Sequence, residues 1–178
     1  MSSDGMCPAF VELEACLREL LAEATREQAL RRPAGRADGW NTEQIVHHLV
    51  LTYQLTCATF EARLRKGTPT RAKPSLRQRL AQLLVLRLGY IPFGREAPEA
   101  VFPRIPLPCQ GGTELLACFG AELGRMDGLI ERAEESFGRR PAISHQILGP
   151  LSPEQWRRFH LAHGLHHVKQ IRTLLKTS

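Results

Sequence analysis

Five stretches of the chain space their apolar residues three or four positions apart, which places those residues on one face of an α-helix. The first stretch runs from Pro8 to about Arg31, and Pro33 would stop it. Its apolar face consists of Phe10, Leu13, Leu17, Leu20, Leu21 and Ala24. No stretch alternates apolar and polar residues as a strand would, and no segment repeats. The pattern therefore predicts an all-α fold.

Cap and turn residues delimit the other four helices. The last helix has the clearest start, because Ser152, Pro153 and Gln155 supply the cap, the first position and the third position of a capping box. The predicted bounds are Asn41 or Thr42 to just before Gly67, Ser75 to about Leu88, Thr113 to about Phe137, and Ser152 almost to the C-terminus. These helices fit one domain over residues 1–178, a four-helix bundle with an additional short helix.

A long proline-rich loop, residues 89–112, separates the third and fourth helices. It contains five prolines and four glycines, so it cannot form a long helix. A loop of this length in a compact domain usually has a function, such as a lid or a binding edge. The alternative is a surface strap packed by Phe93, Phe102 and Leu107. The sequence leaves both interpretations open.

The charge pattern bears on the choice of partner. The chain has 24 Lys and Arg against 18 Asp and Glu, a formal net charge of +6, and few aromatic residues lie among the basic ones. Because bases stack on such aromatic residues, we expect solvated basic faces and no nucleic-acid partner. The densest basic clusters are Arg31–Arg32, Arg63–Lys66, Arg71–Arg79, Arg139–Arg140 and Arg157–Arg158.

Cysteine usage and the absence of targeting signals point to the cytoplasm. The five cysteines are odd in number and no pair has CxxC spacing, which suits a reducing compartment. The start of the chain lacks a basic region followed by an apolar one. No stretch reaches 18 apolar residues, so we expect no membrane span and no membrane partner.

The seven histidines carry the candidate chemistry. His163 and His167 are four positions apart on the last helix, so both rings lie on one face with Cβ atoms about 6 Å apart. Two imidazoles so placed can bind one divalent ion. The same spacing also occurs where each histidine simply bonds a carboxylate or a carbonyl. The HExxH motif of zinc proteases is absent.

A third ligand would have to come from another helix. His48, on the apolar face of the second helix, is the first candidate, and His47 is the alternative. Three protein ligands and one open position are the pattern of a catalytic metal site.

Two further histidines are candidate acid–base residues. His160 is one turn before His163 and is either a proton carrier or a half-buried histidine with a satisfied hydrogen bond. His145, in the loop before the last helix, either approaches the site or is a turn residue that bonds the backbone.

Three segments together resemble the DinB-like superfamily of metal-dependent proteins. Residues 163–170 (HGLHHVKQ) are similar to its terminal-helix signature, roughly NHxxHHRxQ, and residues 40–49 (WNTEQIVHHL) are similar to its second-helix segment. Residues 145–156 (HQILGPLSPEQW) resemble the turn and helix start of one subfamily of unknown function. The chain departs from the signature at Ala162 and Val168, where Asn and Arg are usual.

The resemblance implies a DinB-like four-helix bundle, often a homodimer, with a metal site on three histidines. Carried over by position, the ligands are His48, His163 and His167, and the ion is zinc or nickel. The implied function is that of a divalent-metal-dependent enzyme acting on an unidentified small-molecule substrate. It would be a thiol-dependent transferase or isomerase, or a hydrolase, with His160 or His145 moving the proton. The alternative is a non-catalytic metal-binding bundle.

Overall fold

The computed structural model describes residues 5–33, 35, 39–91, 97–104 and 111–176. Most of these residues are helical, so the predicted all-α class is confirmed. The α-helices are α1 (Pro8–Leu21), α2 (Arg26–Leu30), α3 (Thr42–Lys66), α4 (Leu76–Gln82), α5 (Gly112–Phe137) and α6 (Pro153–Lys176). A π-helical turn, Leu83–Arg87, continues α4, and a 3-10 turn spans Glu99–Val101. Two short strands are β1 (Ile143–His145) and β2 (Gly149–Leu151).

The first predicted helix is in fact two helices, because the helical conformation is interrupted between Leu21 and Thr25. The Gly112 amide donates to the Ala24 carbonyl at 3.0 Å, which ties this break to the start of α5. Thr25 then caps α2 through a capping box with Gln28. The predicted continuous helix from Pro8 to Arg31 was therefore wrong over residues 22–25, where a contact distant in sequence interrupts it.

The start of α5 also differs slightly from the prediction. The helix begins at Gly112 rather than after a cap at Thr113. A Cβ atom at Gly112 would lie only 1.7 Å from the Leu21 carbonyl oxygen, so only glycine allows α1 and α5 to approach here.

The predicted starts of α4 and α6 are confirmed by their capping boxes. In α6 the Gln155 amide donates to Ser152 Oγ at 3.2 Å, and the Ser152 amide donates to Gln155 Oε1 at 2.9 Å. Ser75 caps α4 in the same way, through Gln78. These reciprocal bonds satisfy amides that the helix itself cannot pair.

A β-hairpin precedes α6, although the sequence shows no strand-like alternation. Ile143 pairs with Leu151 and His145 with Gly149, in antiparallel register. Strands of three residues are too short for an alternating pattern to be recognised. His145 thus ends a strand instead of lying in an irregular loop.

Two compact units can be distinguished. Unit 1 contains residues 1–55, 96–124 and 164–178, and unit 2 contains residues 56–95 and 125–163. Helices α3, α5 and α6 each contribute residues to both units.

Unit 1 packs segments of α1, α3, α5 and α6 around an apolar core. Tyr53 of α3 packs edge-to-face on Phe119 of α5, with ring centroids 5.6 Å apart. Leu13 of α1 fits against Gly164 of α6, where an added Cβ would lie 2.5 Å from Leu13 Cδ2. Buried residues of this core include Phe10, Leu17, Leu21, Ile45, Leu49, Leu115, Leu123 and Ile171.

Unit 2 joins the hairpin to α3, α4, α5 and α6. Trp156 is buried, packs on Phe60, and donates its indole N–H to the Ile143 carbonyl at 3.3 Å. Arg157 bonds Asp127 at 2.8 Å and Glu134 at 2.6 Å. Arg157 is therefore a half-buried ion-pair partner, and its interpretation as a solvated basic residue was wrong.

Two observations concern the cysteines and the membrane. No disulfide joins the cysteines that the structure describes, and Cys109 lies outside the described residues. Among the helices in the described ranges, none is both long and apolar enough to cross a bilayer.

Candidate metal centre

The three histidines expected to bind metal lie together in the structure. Each of His48, His163 and His167 offers a ring nitrogen, and these nitrogens lie within 4.8 Å of one another. His163 and His167 share one face of α6, one turn apart, and the ring centroids of His48 and His167 are 5.0 Å apart. His48 and His167 are buried, and His163 is half-buried. Three imidazoles converging on one point are a donor set suited to a zinc-like divalent ion.

His48 is oriented by the backbone of the proline-rich loop. Its Nδ1 lies 2.8 Å from the Val101 carbonyl oxygen. Because a carbonyl oxygen only accepts, Nδ1 must carry the proton and donate it. The Nε2 atom is then unprotonated, with its lone pair available to an ion.

His167 is oriented by a side chain one turn further along α6. Its Nδ1 lies 2.7 Å from Gln170 Oε1, and the Gln170 amide lies 3.2 Å from His166 Nε2. With the amide oxygen accepting, His167 Nδ1 carries the proton and Nε2 is again free of one. The same tautomer is thus set at His48 by an acceptor in the proline-rich loop and at His167 by an acceptor on α6.

His163 is held by an aromatic contact instead. Its ring stacks on Phe159, with centroids 5.6 Å apart and an interplanar angle of 8°. Gly164 follows directly and lets Leu13 of α1 approach the helix here. The stacking on Phe159 restricts where the His163 imidazole can point.

Burial keeps the imidazoles of His48 and His167 neutral. It lowers the pKa of His167 to about 3, and the neighbouring His48 adds to the effect. Burial also lowers the pKa of His48, although its bond to Val101 opposes the shift. A neutral imidazole is the form that binds a metal, so no proton has to be displaced near neutral pH.

Aromatic side chains border His48 on the side of the proline-rich loop. The ring centroid of Trp40 lies 5.1 Å from that of His48 and 5.4 Å from that of Phe102. Phe102 is exposed. Val101 and Phe102 of the proline-rich loop thus lie beside His48 and Trp40, whereas residues 92–96 and 105–110 lie outside the described residues.

The two candidate acid–base histidines lie in unit 2. His160 is fully buried, with Nε2 3.2 Å from Thr56 Oγ1 and its ring stacked on Trp156. His145 Nδ1 accepts the Ile147 and Leu148 amides at 3.1 and 3.2 Å, as expected for a turn residue. Burial lowers the pKa of His160 to about 3 and that of His145 to about 4.

Sequence reasoning missed the acceptor on Val101. A carbonyl has no side-chain signal, and Val101 lies 53 positions from His48, in a segment recognisable only as a loop. Gln170 ends the segment that resembles the family signature, and its side-chain oxygen orients His167. His47 and His166 are not part of the three-histidine cluster.

The helical fold and the histidine cluster define an all-α protein with a site compatible with metal binding. The chain belongs to the DinB superfamily, because the model of that family matches residues 9–171. The match covers all three ligand candidates and both units. No curated protein and no solved structure matches the sequence significantly.

Proposed function

We propose that this chain is a divalent-metal-dependent enzyme whose ion is bound by His48, His163 and His167. The observation that supports it is the convergence of three imidazoles, two of which are held by hydrogen bonds at Nδ1 in the metal-binding tautomer. Zinc and nickel are the preferred candidates, because both bind imidazole well. A purely structural packing of histidines would not require matched tautomers.

The three-histidine set leaves a position open for a water or a small-molecule thiol. An ion bound there lowers the pKa of such a molecule and so supplies a nucleophile near neutral pH. The chain itself contributes the fixed ligand orientation and an aromatic border at Trp40 and Phe102. Transfer to or from a thiol, isomerisation and hydrolysis are the reaction classes that this arrangement supports.

His160 and His145 are the proposed residues for moving a proton. Their pKa values of about 3 and 4 make both imidazoles neutral and weakly basic at neutral pH. A base of this strength accepts a proton only from an acidic donor. His160 is the better placed of the two, because it is on α6 one turn before His163.

A non-catalytic metal-binding protein is the second candidate. Its support is that His48 and His167 come from two helices of unit 1 and lie 119 positions apart in sequence. An ion bound to both would close that contact and stabilise the folded chain directly. Counting the ligands by X-ray absorption distinguishes the two: an exchangeable oxygen or sulfur ligand favours the enzyme.

Elemental analysis of untagged protein purified without chelator is the decisive experiment. We expect about one zinc or nickel ion per chain, and loss of the ion in His48→Ala, His163→Ala and His167→Ala. His47→Ala is the matched control, because this residue adjoins His48 but is outside the cluster. Circular dichroism shows whether each variant keeps its helices.

Two results would overturn the proposal. One is a well-folded wild-type protein that takes up neither zinc nor nickel on titration. The other is metal uptake that survives all three alanine substitutions. Uptake as expected would justify a substrate screen that begins with thiol-dependent transfer.

A further inference from the structure

Helix α4 and the π-helical turn after it present Leu76, Leu80 and Leu83 to solvent, whereas the glutamines of α4 face the protein. Gln82 donates to the Leu148 carbonyl at 2.8 Å and to the Pro150 carbonyl at 3.3 Å, and Gln78 lies against Gly149. No residue of α4 or of the turn is buried. An ordinary surface helix has the reverse arrangement, with apolar residues packed inward.

The outward face of this segment is a continuous apolar stripe. Leu76, Leu80 and Leu83 are spaced i, i+4 and i+7, and are 85%, 58% and 50% exposed. Leu88 and Tyr90 extend the exposed apolar surface beyond the turn. Scattered apolar side chains are normal on a protein surface, but a contiguous stripe marks an interaction site.

The part of the sequence that contains the stripe is strongly basic. Residues 62–95 contain nine Lys and Arg and no Asp or Glu, whereas the rest of the chain has fifteen basic and eighteen acidic residues, a net charge of −3. The net charge of +6 therefore comes from this one segment. On a helical wheel Arg77 and Arg79 fall on opposite sides of the leucine stripe.

The exposed leucines and the basic charge of this segment together favour one kind of binding partner. A second copy of the chain docking symmetrically on this face would bring like charges together, which is unfavourable. A nucleic acid would use the arginines but not the leucines. An anionic bilayer uses both, because headgroups attract Arg and Lys while apolar side chains enter the acyl boundary.

We propose that the Leu76–Leu88 segment is a docking surface for an anionic lipid bilayer, bound flat against the headgroups. The expectation of no membrane partner considered only spanning segments, and a helix lying in the interface needs none. The proposal does not depend on the metal site.

The test is co-sedimentation of the full-length protein with vesicles of phosphatidylcholine, with or without phosphatidylglycerol. We expect binding to the vesicles that contain phosphatidylglycerol and little binding to those that do not. Leu76→Ser/Leu80→Ser/Leu83→Ser should weaken binding at least about tenfold, since each inserted side chain adds apolar burial. Arg77→Gln/Arg79→Gln should weaken it and reduce its dependence on salt.

The matched control is the triple variant Val11→Ser/Leu30→Ser/Leu55→Ser, which removes exposed apolar side chains of α1, α2 and α3 and should bind like the wild type. Two outcomes would overturn the proposal. The first is no sedimentation with anionic vesicles at low ionic strength. The second is binding that salt abolishes but that the leucine variant retains, which would show electrostatic adsorption alone. Circular dichroism confirms that each variant is folded.

Discussion

At the scale of single residues, the proposed metal site depends on two hydrogen-bond acceptors, neither of which is among the three proposed ligands. Val101 and Gln170 set the tautomers of His48 and His167, and each accepts a single short hydrogen bond. Groups in this position commonly change metal affinity by about 10- to 100-fold when removed. Gln170 accepts through its side chain, so its role can be tested by substitution.

Gln170→Leu should weaken zinc binding by about 10- to 100-fold without unfolding the protein. The substitution removes the acceptor for His167 Nδ1, so the ring can rotate or adopt the other tautomer. Competition with a chromogenic chelator measures the affinity. Gln54→Leu is the control, because it removes a glutamine that bonds Glu122 away from the cluster. Equal zinc affinity in Gln170→Leu and wild type would contradict the assigned role.

His160 should make the fold sensitive to acid. Its pKa is about 3 in the folded protein and about 6.5 when unfolded, so between these values only the unfolded chain takes up the proton. Stability should be complete above pH 6.5 and fall towards pH 3, by about 1.4 kcal/mol per pH unit for this one group. His160→Gln should remove that part of the slope. Urea unfolding of metal-free protein between pH 7 and pH 4.5 measures it; an unchanged slope would refute the assignment.

At this scale the sequence predicted the three histidines of the cluster but not the carbonyl group that orients His48. The spacing of His163 and His167 on one helix defines a pair, and the apolar face of the second helix favoured His48 over His47 as the third member, in agreement with the resemblance. The structure brings these three together. The Val101 acceptor could not be predicted, because which carbonyl meets His48 depends on the path of a loop.

At the scale of elements, the sequence predicted where α4 and α6 begin, but it did not predict the break after Leu21. Ser75 and Ser152 lie at caps because their hydroxyls satisfy nearby amides, a purely local effect. The break after Leu21 depends on Gly112, about ninety positions later. Local periodicity cannot report a contact of that kind.

Arg157 joins α5 to α6 within unit 2, and its loss should be costly. Asp127 is only 5% exposed, so Arg157→Met would leave a buried carboxylate without this cation. We expect a loss of about 3 kcal/mol in the free energy of unfolding. Urea denaturation measures it. Arg157→Met/Asp127→Leu should recover much of the loss, and a double variant no more stable than Arg157→Met would contradict the explanation.

At the scale of the whole molecule, bound metal should raise thermal stability. An ion that binds only the folded chain adds about 2.7 kcal/mol at a hundredfold excess over Kd, or about 5–10 °C in Tm. Differential scanning fluorimetry with zinc and nickel measures the shift, and His167→Ala should abolish it. His166→Ala should retain most of it, because His166 is outside the cluster. A shift of equal size in His167→Ala would place the ion elsewhere.

The predicted homodimer belongs to this scale as well and stays a prediction. Light scattering on the purified protein decides it. Because Leu76–Leu88 lies in a strongly basic segment, two copies would repel each other there. We therefore expect any dimer contact on another surface.

Neither compact unit is a continuous stretch of chain, and this affects how the protein is made. Unit 1 needs residues 164–178 as well as the beginning of the chain. His48 is therefore synthesised long before His167, its partner on α6, and α3 cannot complete its packing until α6 has been translated. If His48, His163 and His167 bind an ion as proposed, that ion can be loaded only after α6 has been synthesised. A nascent chain arrested before that helix would contain His48 without the other two proposed ligands.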